Sequence, residues 1–342
     1  MADAAYDAVL VVSFGGPEGP DDVLPFLRNV LRGRDVPPER MDEVAAHYHR
    51  FGGISPINGH NRALVGALEQ ELRASGLDLP VYWGNRNWHP MLADTIRAMA
   101  GDGVRSALAF VTSAFSSYSG CRQYLDDIER ARAEVGPTAP RIDKLRAFYN
   151  HPGYVEPLRE RLRAALAEAG GSAPVAFSAH SIPLAMAASS AYVRQLGTTA
   201  RLVAEGASPG GRLPWQLTYQ SRSGPASQPW LEPDISDHLR ALRRVGVDTA
   251  VVAPIGFISD HMEVVYDLDT TAAQTAASIG LRMIRVPTVG TDAAFVAMVR
   301  ELIEERITPG TPRRALGREG PLPDHCPAGC CPAPVAPRRP AR

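Results

Sequence analysis

Three side chains in two stretches of this sequence could together move protons and hold a divalent ion. His180 stands in Ser178-Ala179-His180-Ser181-Ile182-Pro183, while Glu263 and Asp267 lie in Asp260-His261-Met262-Glu263-Val264-Val265-Tyr266-Asp267. A neutral imidazole, ordinary pKa about 6.5, accepts a proton or ligates a divalent metal, and a carboxylate can do either. An isolated histidine at a strand end is ordinarily a hydrogen-bonded core residue, and an acidic pair is ordinarily a solvated stripe. Here the acids start directly after an apolar run and are interleaved with Val264, Val265 and Leu268, which implies a partly enclosed row. Carboxylates four residues apart share one face of a helix.

The elements around these residues place them at strand ends. Pro174 to Phe177 reads as the end of a buried strand that Pro183 forbids to continue, and Ala250 to Pro254 is a second such strand running into Gly256. In an open parallel sheet, ligands bind beyond the carboxyl ends of the strands. The wider pattern alternates strand and helix. Strands are predicted over 8–14, near 81, over 107–112, 145–148, 175–179, 215–219, 249–254 and 283–286, with a helix over 262–279 among the connections. This predicts an α/β protein of two similar doubly wound, Rossmann-like domains, each with a parallel sheet of about four strands, facing a cleft. The first comprises residues 5–115 plus a returning helix at 293–310, and the second 116–292. A Pro-, Gly- and Arg-rich tail over 311–342 would not fold alone.

Bulk properties exclude several classes. The 342 residues are 45% hydrophobic and 21% charged with a formal net charge of -1, which suits a folded globular chain and gives no electrostatic footprint for nucleic acid. Basic character is almost wholly arginine, because Lys144 is the sole lysine, a bias that reads as codon usage. No basic leader and no apolar run of membrane-spanning length occurs, so a cytoplasmic protein without a transmembrane segment is expected. Ser178 and Ser181 lack the glycines of a nucleophile elbow, and Gly15-Gly16 is not a dinucleotide fingerprint.

The strings SAHSIP (178–183) and GFISDHMEVVYDLD (256–269) resemble the two signatures of the ferrochelatases, which insert iron into a porphyrin. VVSFGGPEG (11–19) and FGGISPI (51–57) extend the resemblance over most of residues 7–305. It implies a chelatase-like fold around a porphyrin cleft and a lyase of haem biosynthesis. His180 and Glu263 would then be the catalytic pair and the site for Fe2+, the metal substrate, with Asp267 continuing a carboxylate path. Where some relatives place a further acid, this chain has Thr271. Ser55 and Tyr124 resemble porphyrin-contacting positions, and Arg32, His47 and Tyr48 lie in regions that face the propionates. Phe14 stands where many bacterial relatives carry an iron-reaching tyrosine. The arginine bias and the cysteine arrangement favour an actinobacterial-type member acting on coproporphyrin III, with protoporphyrin IX as the alternative and haem-pathway proteins as partners. Another tetrapyrrole chelatase, a ligand-binding protein and an iron–sulfur sensor are the more distant readings.

The cysteines are Cys121, Cys326, Cys330 and Cys331, the last three within Cys-Pro-Ala-Gly-Cys-Cys-Pro. Disulfides are not expected in a cytoplasmic chain, and vicinal cysteines pair poorly. Many ferrochelatases hold a [2Fe–2S] cluster through one internal and three C-terminal cysteines, and Ser119-Gly120-Cys121 resembles the internal site. By that resemblance the four thiols would hold such a cluster and pin the tail. Zinc, with His325 as a further ligand, and unligated surface thiols remain open.

Overall fold

The computed structural model describes residues 6–33, 37–208, 210, 213–224, 227–327 and 329–333, and its frame is a pair of four-stranded parallel sheets. The first contains β1 (Ala8–Ser13), β2 (Val81–Asn85), β3 (Ser106–Val111) and β4 (Arg141–Lys144) in the order β2-β1-β3-β4. The second contains β5 (Val175–His180), β6 (Trp215–Gln220), β7 (Thr249–Ala253) and β8 (Arg282–Arg285) in the order β6-β5-β7-β8. One topology is therefore used twice. The central strands β1 and β3 are buried along their whole length, as expected of strands covered on both faces. Strand order reverses between β1 and β3, and again between β5 and β7. Those are the switch points where an open α/β sheet leaves a crevice.

One predicted strand is misplaced. The apolar stretch 145–148 is not the fourth strand, since the ladder pairs Ser106 with Arg141 and Ala109 with Lys144. An edge strand needs little apolar character, and in β4 only Ile142 is buried. Leu145 and Phe148 are apolar because they leave the sheet and enter the core. β4 thus belongs to the first sheet although it lies beyond residue 115.

A single apolar core spans both halves. It joins Val9 and Phe110 of the first sheet to Phe177 and Val251 of the second, through Phe148, Tyr154, Phe295 and Val299. The last helix, Ala293–Ile307, packs on the helices Ile57–Ala74 and Pro152–Glu168. Gly153 makes that approach possible, because a Cβ there would stand 2.6 Å from the Ala294 carbonyl oxygen and from Met298 Cβ.

Hydrogen bonds hold part of the tail to the body. Leu316 N donates to the Asn150 carbonyl at 2.8 Å, and Asn150 Nδ2 donates to the Gly320 carbonyl at 2.8 Å. Tyr149 and Thr198 donate to the Glu319 carboxylate, each at 2.9 Å, and Arg194 pairs with the same group. These bonds fix residues 316–320 against the body; residues 334–342 of the tail lie outside the described residues.

Candidate functional site

His180 is the last residue of β5, and the loop after β7 brings Glu263 to face it across the second switch point. The imidazole Nε2 is 3.6 Å from Glu263 Oε1. Gly256 permits this. A Cβ at that position would lie 2.6 Å from Ala179 Cβ and 2.7 Å from its Cα, so only glycine lets the loop run against the end of β5. Gly256 N then donates to the Ser178 carbonyl at 3.1 Å.

Both partners are oriented from behind. Tyr192 donates to the His180 carbonyl at 2.9 Å, and His180 Nδ1 meets the Ser181 carbonyl at 2.5 Å, which turns Nε2 toward the carboxylate. Gln220 pairs with His180 in the β5–β6 register, accepts from Ser178 Oγ at 2.6 Å and donates to the Glu263 carbonyl at 2.9 Å. On the opposite flank, Arg285 of β8 binds Asp260 and Asp269, each at 2.7 Å, and clamps the loop to the following helix. His261 caps that helix by accepting from Glu263 N at 3.3 Å.

The helix itself departs from expectation. Met262–Val264 is α-helical, Val265–Ala272 widens into π-helix, and Ala273–Ser278 returns to α. A π-turn bonds i to i+5, so the four-residue spacing of Glu263 and Asp267 no longer stacks them on one line; π-bulges are frequent at functional sites. Ser221, with a left-handed φ of 62°, donates its hydroxyl to Asp267 Oδ2. The sequence reading missed Gln220, Ser221 and His261, although the first two follow directly from the strand register opposite His180.

Electrostatics divides the carboxylates. Burial opposes ionisation of both His180 and Glu263, but each offsets the other's loss of solvent through charge and hydrogen bonding. The imidazole is raised to about 9 and the Glu263 carboxyl lowered to about 2. Their side chains remain 33% and 42% exposed, so the pair lines an open cleft. Asp267 is raised to about 6, first by burial and then by the charge of Glu263, against the Ser221 hydrogen bond.

The other expected residues fall around this centre unequally. Ser55 is buried beside Gly16 and does not cap the helix Ile57–Ala74, its hydroxyl making no hydrogen bond among the described residues. Tyr124 is buried beneath Arg86, whose guanidinium lies 4.9 Å from the ring centroid and pairs with Asp127 at 2.9 Å. Phe14 and Tyr48 pack edge-on against Phe26, and His47 stacks on Tyr266 at 4.0 Å, joining the helix Pro38–His49 to the π-helical segment.

The cysteines assemble elsewhere. Cys121 lies in a second π-turn, Tyr118–Arg122, and is buried; Cys331 is buried too, with a left-handed φ of 51° that non-glycine residues rarely adopt. Cys326 stands against both Cys121 and Cys330, and the sulfurs of Cys330 and Cys331 are 3.7 Å apart. Among the described residues, no group of three or more His, Cys, Asp or Glu side chains is placed to hold a metal ion.

A family model described as ferrochelatase matches residues 6–307. A coproporphyrin III ferrochelatase of Frankia alni is 56% identical, the match covering 98% of this chain and 88% of that one. A ferrochelatase of Rhodopirellula baltica is 51% identical over 98% of this chain and 95% of its own, and a coproporphyrin III ferrochelatase of Streptomyces griseus 52% identical over 96% and 94%. Among solved structures, SirB from Bacillus subtilis matches with a TM-score of 0.50 at 13% identity, over 87% of this chain and 96% of that one, a likeness of fold. No helix among the described residues is long and apolar enough to cross a membrane.

Proposed function

This chain belongs to the ferrochelatase family, enzymes that insert a metal ion into a porphyrin, and from that premise we propose that it inserts Fe(II) into coproporphyrin III to give coprohaem. The reaction would be that of a cytoplasmic lyase forming metal–nitrogen bonds. The observation that carries the assignment of residues is the His180–Glu263 pair at the mouth of the β5/β7 crevice.

The pair accounts for the chemistry in order. At rest it is an imidazolium facing a carboxylate. Fe(II) arriving on Glu263 competes for the charge that keeps His180 protonated. Burial then dominates, His180 releases its proton, and Asp267, with a carboxyl titrating at about 6, accepts and passes it outward. The neutral imidazole is left free to take one pyrrole proton and, after relaying it to Asp267 and outward, the second, as the ring nitrogens bind the metal. Gln220 and Tyr192 keep both groups aimed through this exchange. Ser55, with its unspent hydroxyl, suits a propionate, and Tyr124 acts from beneath Arg86.

The test is anaerobic turnover with Fe(II) and either coproporphyrin III or protoporphyrin IX, followed by loss of free-porphyrin fluorescence. Faster use of coproporphyrin III, abolished in His180→Ala and Glu263→Gln, is expected. Metallation of neither porphyrin by a folded protein would overturn the reading.

A second element rests on the resemblance of Ser119-Gly120-Cys121 and the tail cysteines to those of cluster-holding ferrochelatases. Cys121, Cys326, Cys330 and Cys331 would hold a [2Fe–2S] centre, which when bound cross-links the tail to the first half of the chain. Acid-labile sulfide in the anaerobically purified protein tests this; zinc without sulfide would replace it with a zinc site.

A further inference from the structure

The loops after β7 and β8 meet the helix Ile57–Ala74 of the first half across a cavity of about 420 Å³. Its walls include His60 and Asn61 of that helix, Arg161 of the helix Pro152–Glu168, Ser259 after β7, and Thr288 and Asp292 after β8. It lies beyond the carboxyl ends of the strands, where open parallel sheets bind ligands, and one strand over from the β5/β7 crevice that carries His180 and Glu263.

Two donors on this cavity are unspent. Asn61 is 4% exposed, and its Nδ2 has no hydrogen-bond partner among the described residues. Arg161 Nη2 donates to the Val289 carbonyl at 3.1 Å and to Asp292 Oδ2 at 3.2 Å, whereas its Nη1 is buried without a partner among those residues. Buried polar groups are nearly always hydrogen-bonded, so two unmet donors on one cavity call for an acceptor. The carboxylate on this wall is already committed. Asp292 Oδ1 caps the helix Ala293–Ile307 by accepting from Ala294 N at 3.0 Å, and Oδ2 takes Arg161. His60 is turned to the Asp260 carbonyl at 3.3 Å.

We infer that this cavity binds a small organic anion, its oxyanion head taken by Arg161 Nη1, Asn61 Nδ2 and the Thr288 hydroxyl. A guanidinium suits carboxylate and phosphate alike, and the start of a helix favours negative charge. The volume falls within the roughly 300–1,000 Å³ of small-molecule sites and leaves room for an organic body behind the head. The inference is independent of the porphyrin reading, and binding is read without turnover.

The experiment is isothermal titration calorimetry of the purified full chain with inorganic phosphate, glycerol 3-phosphate and citrate in turn, for wild type, Arg161→Gln, Asn61→Leu, Thr288→Val and Ser55→Ala. Saturable binding of at least one of these anions to wild type is expected, and a preference for the phosphates or for citrate names the head group. Affinity should fall roughly tenfold or more in Arg161→Gln, which loses a charge-assisted bond, and several-fold in Asn61→Leu and Thr288→Val. It should be unchanged in Ser55→Ala, whose hydroxyl the porphyrin reading assigns to a propionate. If Arg161→Gln does not fold, the shape-preserving Thr288→Val and Asn61→Leu carry the test. Amide hydrogen exchange should slow at residues 258–260 and 288–292 when the anion is bound. No saturable binding of any of the three anions at millimolar concentrations, binding untouched by all the cavity variants, or slowed exchange confined to other segments would each overturn the assignment.

Discussion

Gln220 donates to the main-chain carbonyl of Glu263 at 2.9 Å while accepting from Ser178 at 2.6 Å, so one buried amide ties the strand carrying His180 to the helix carrying Glu263. Gln220→Leu keeps the volume but removes both bonds, leaving the Ser178 hydroxyl and the Glu263 carbonyl without this partner. Misplacing a catalytic group by about 1 Å costs on the order of 10²-fold in rate. We expect kcat for porphyrin metallation to fall by roughly that factor, with KM for the porphyrin little changed, measured by steady-state fluorescence assay.

Titration of the pair itself is predicted from its mutual shifts. His180, raised to about 9, gives the folded state a contribution that is complete below about 6.5 and is lost as pH rises through 9. Glu263, lowered to about 2, gives one that is complete above about 4.5 and lost as pH falls through 2. Between about 4.5 and 6.5 both are in force. NMR of labelled histidines should find His180 titrating near 9 in wild type and lower in Glu263→Gln, where only the Ser181 carbonyl and Asp267 still oppose burial.

His151 predicts acid sensitivity remote from the cleft. It is fully buried at the start of the helix Pro152–Glu168 and accepts from Gly153 N at 3.1 Å; burial, then Arg146 and Arg314, lower it to about 3 and outweigh the Glu301 carboxylate 3.3 Å from its Nε2. The unfolded chain binds this proton from about 6.5 downward and the folded chain does not. Stability therefore falls with pH over that window, at up to about 1.4 kcal/mol per unit. His151→Asn keeps a capping acceptor and should flatten the dependence in urea melts between pH 6.5 and 4.

The fold was legible where apolar runs end abruptly. Pro183 and Gly256 marked the two strand ends, and with them the residues His180 and Glu263, before any coordinates. β4 was not legible, because an edge strand with one buried residue carries a weaker pattern than the core segment that follows it. The π-turns at 118–122 and 265–272 leave no signature in residue type, since they arise from packing against neighbours. Tyr124 could be read as an aromatic facing a macrocycle, whereas its burial under Arg86 depends on a strand far away in sequence.

Gly256→Ala tests the closeness of the two strand ends directly. The added methyl meets the backbone of Ala179 and cannot be absorbed by a rotamer change. A destabilisation of about 1–3 kcal/mol is expected in denaturant melts. A lower kcat is expected with it, as the loop carrying Glu263 is pushed from His180. Unchanged stability and rate together would show that the loop relaxes freely.

The repeated strand order has a consequence for how the two halves divide labour. Ser13 ends β1 as His180 ends β5, each on the strand at its sheet's switch point. Ser13 is sealed from solvent with its hydroxyl unpartnered. The two crevices thus close differently: a buried hydroxyl ends one central strand, and an imidazole facing a carboxylate ends the other. The two halves still meet at the second crevice, where His47 of the first stacks on Tyr266, three residues on from Glu263.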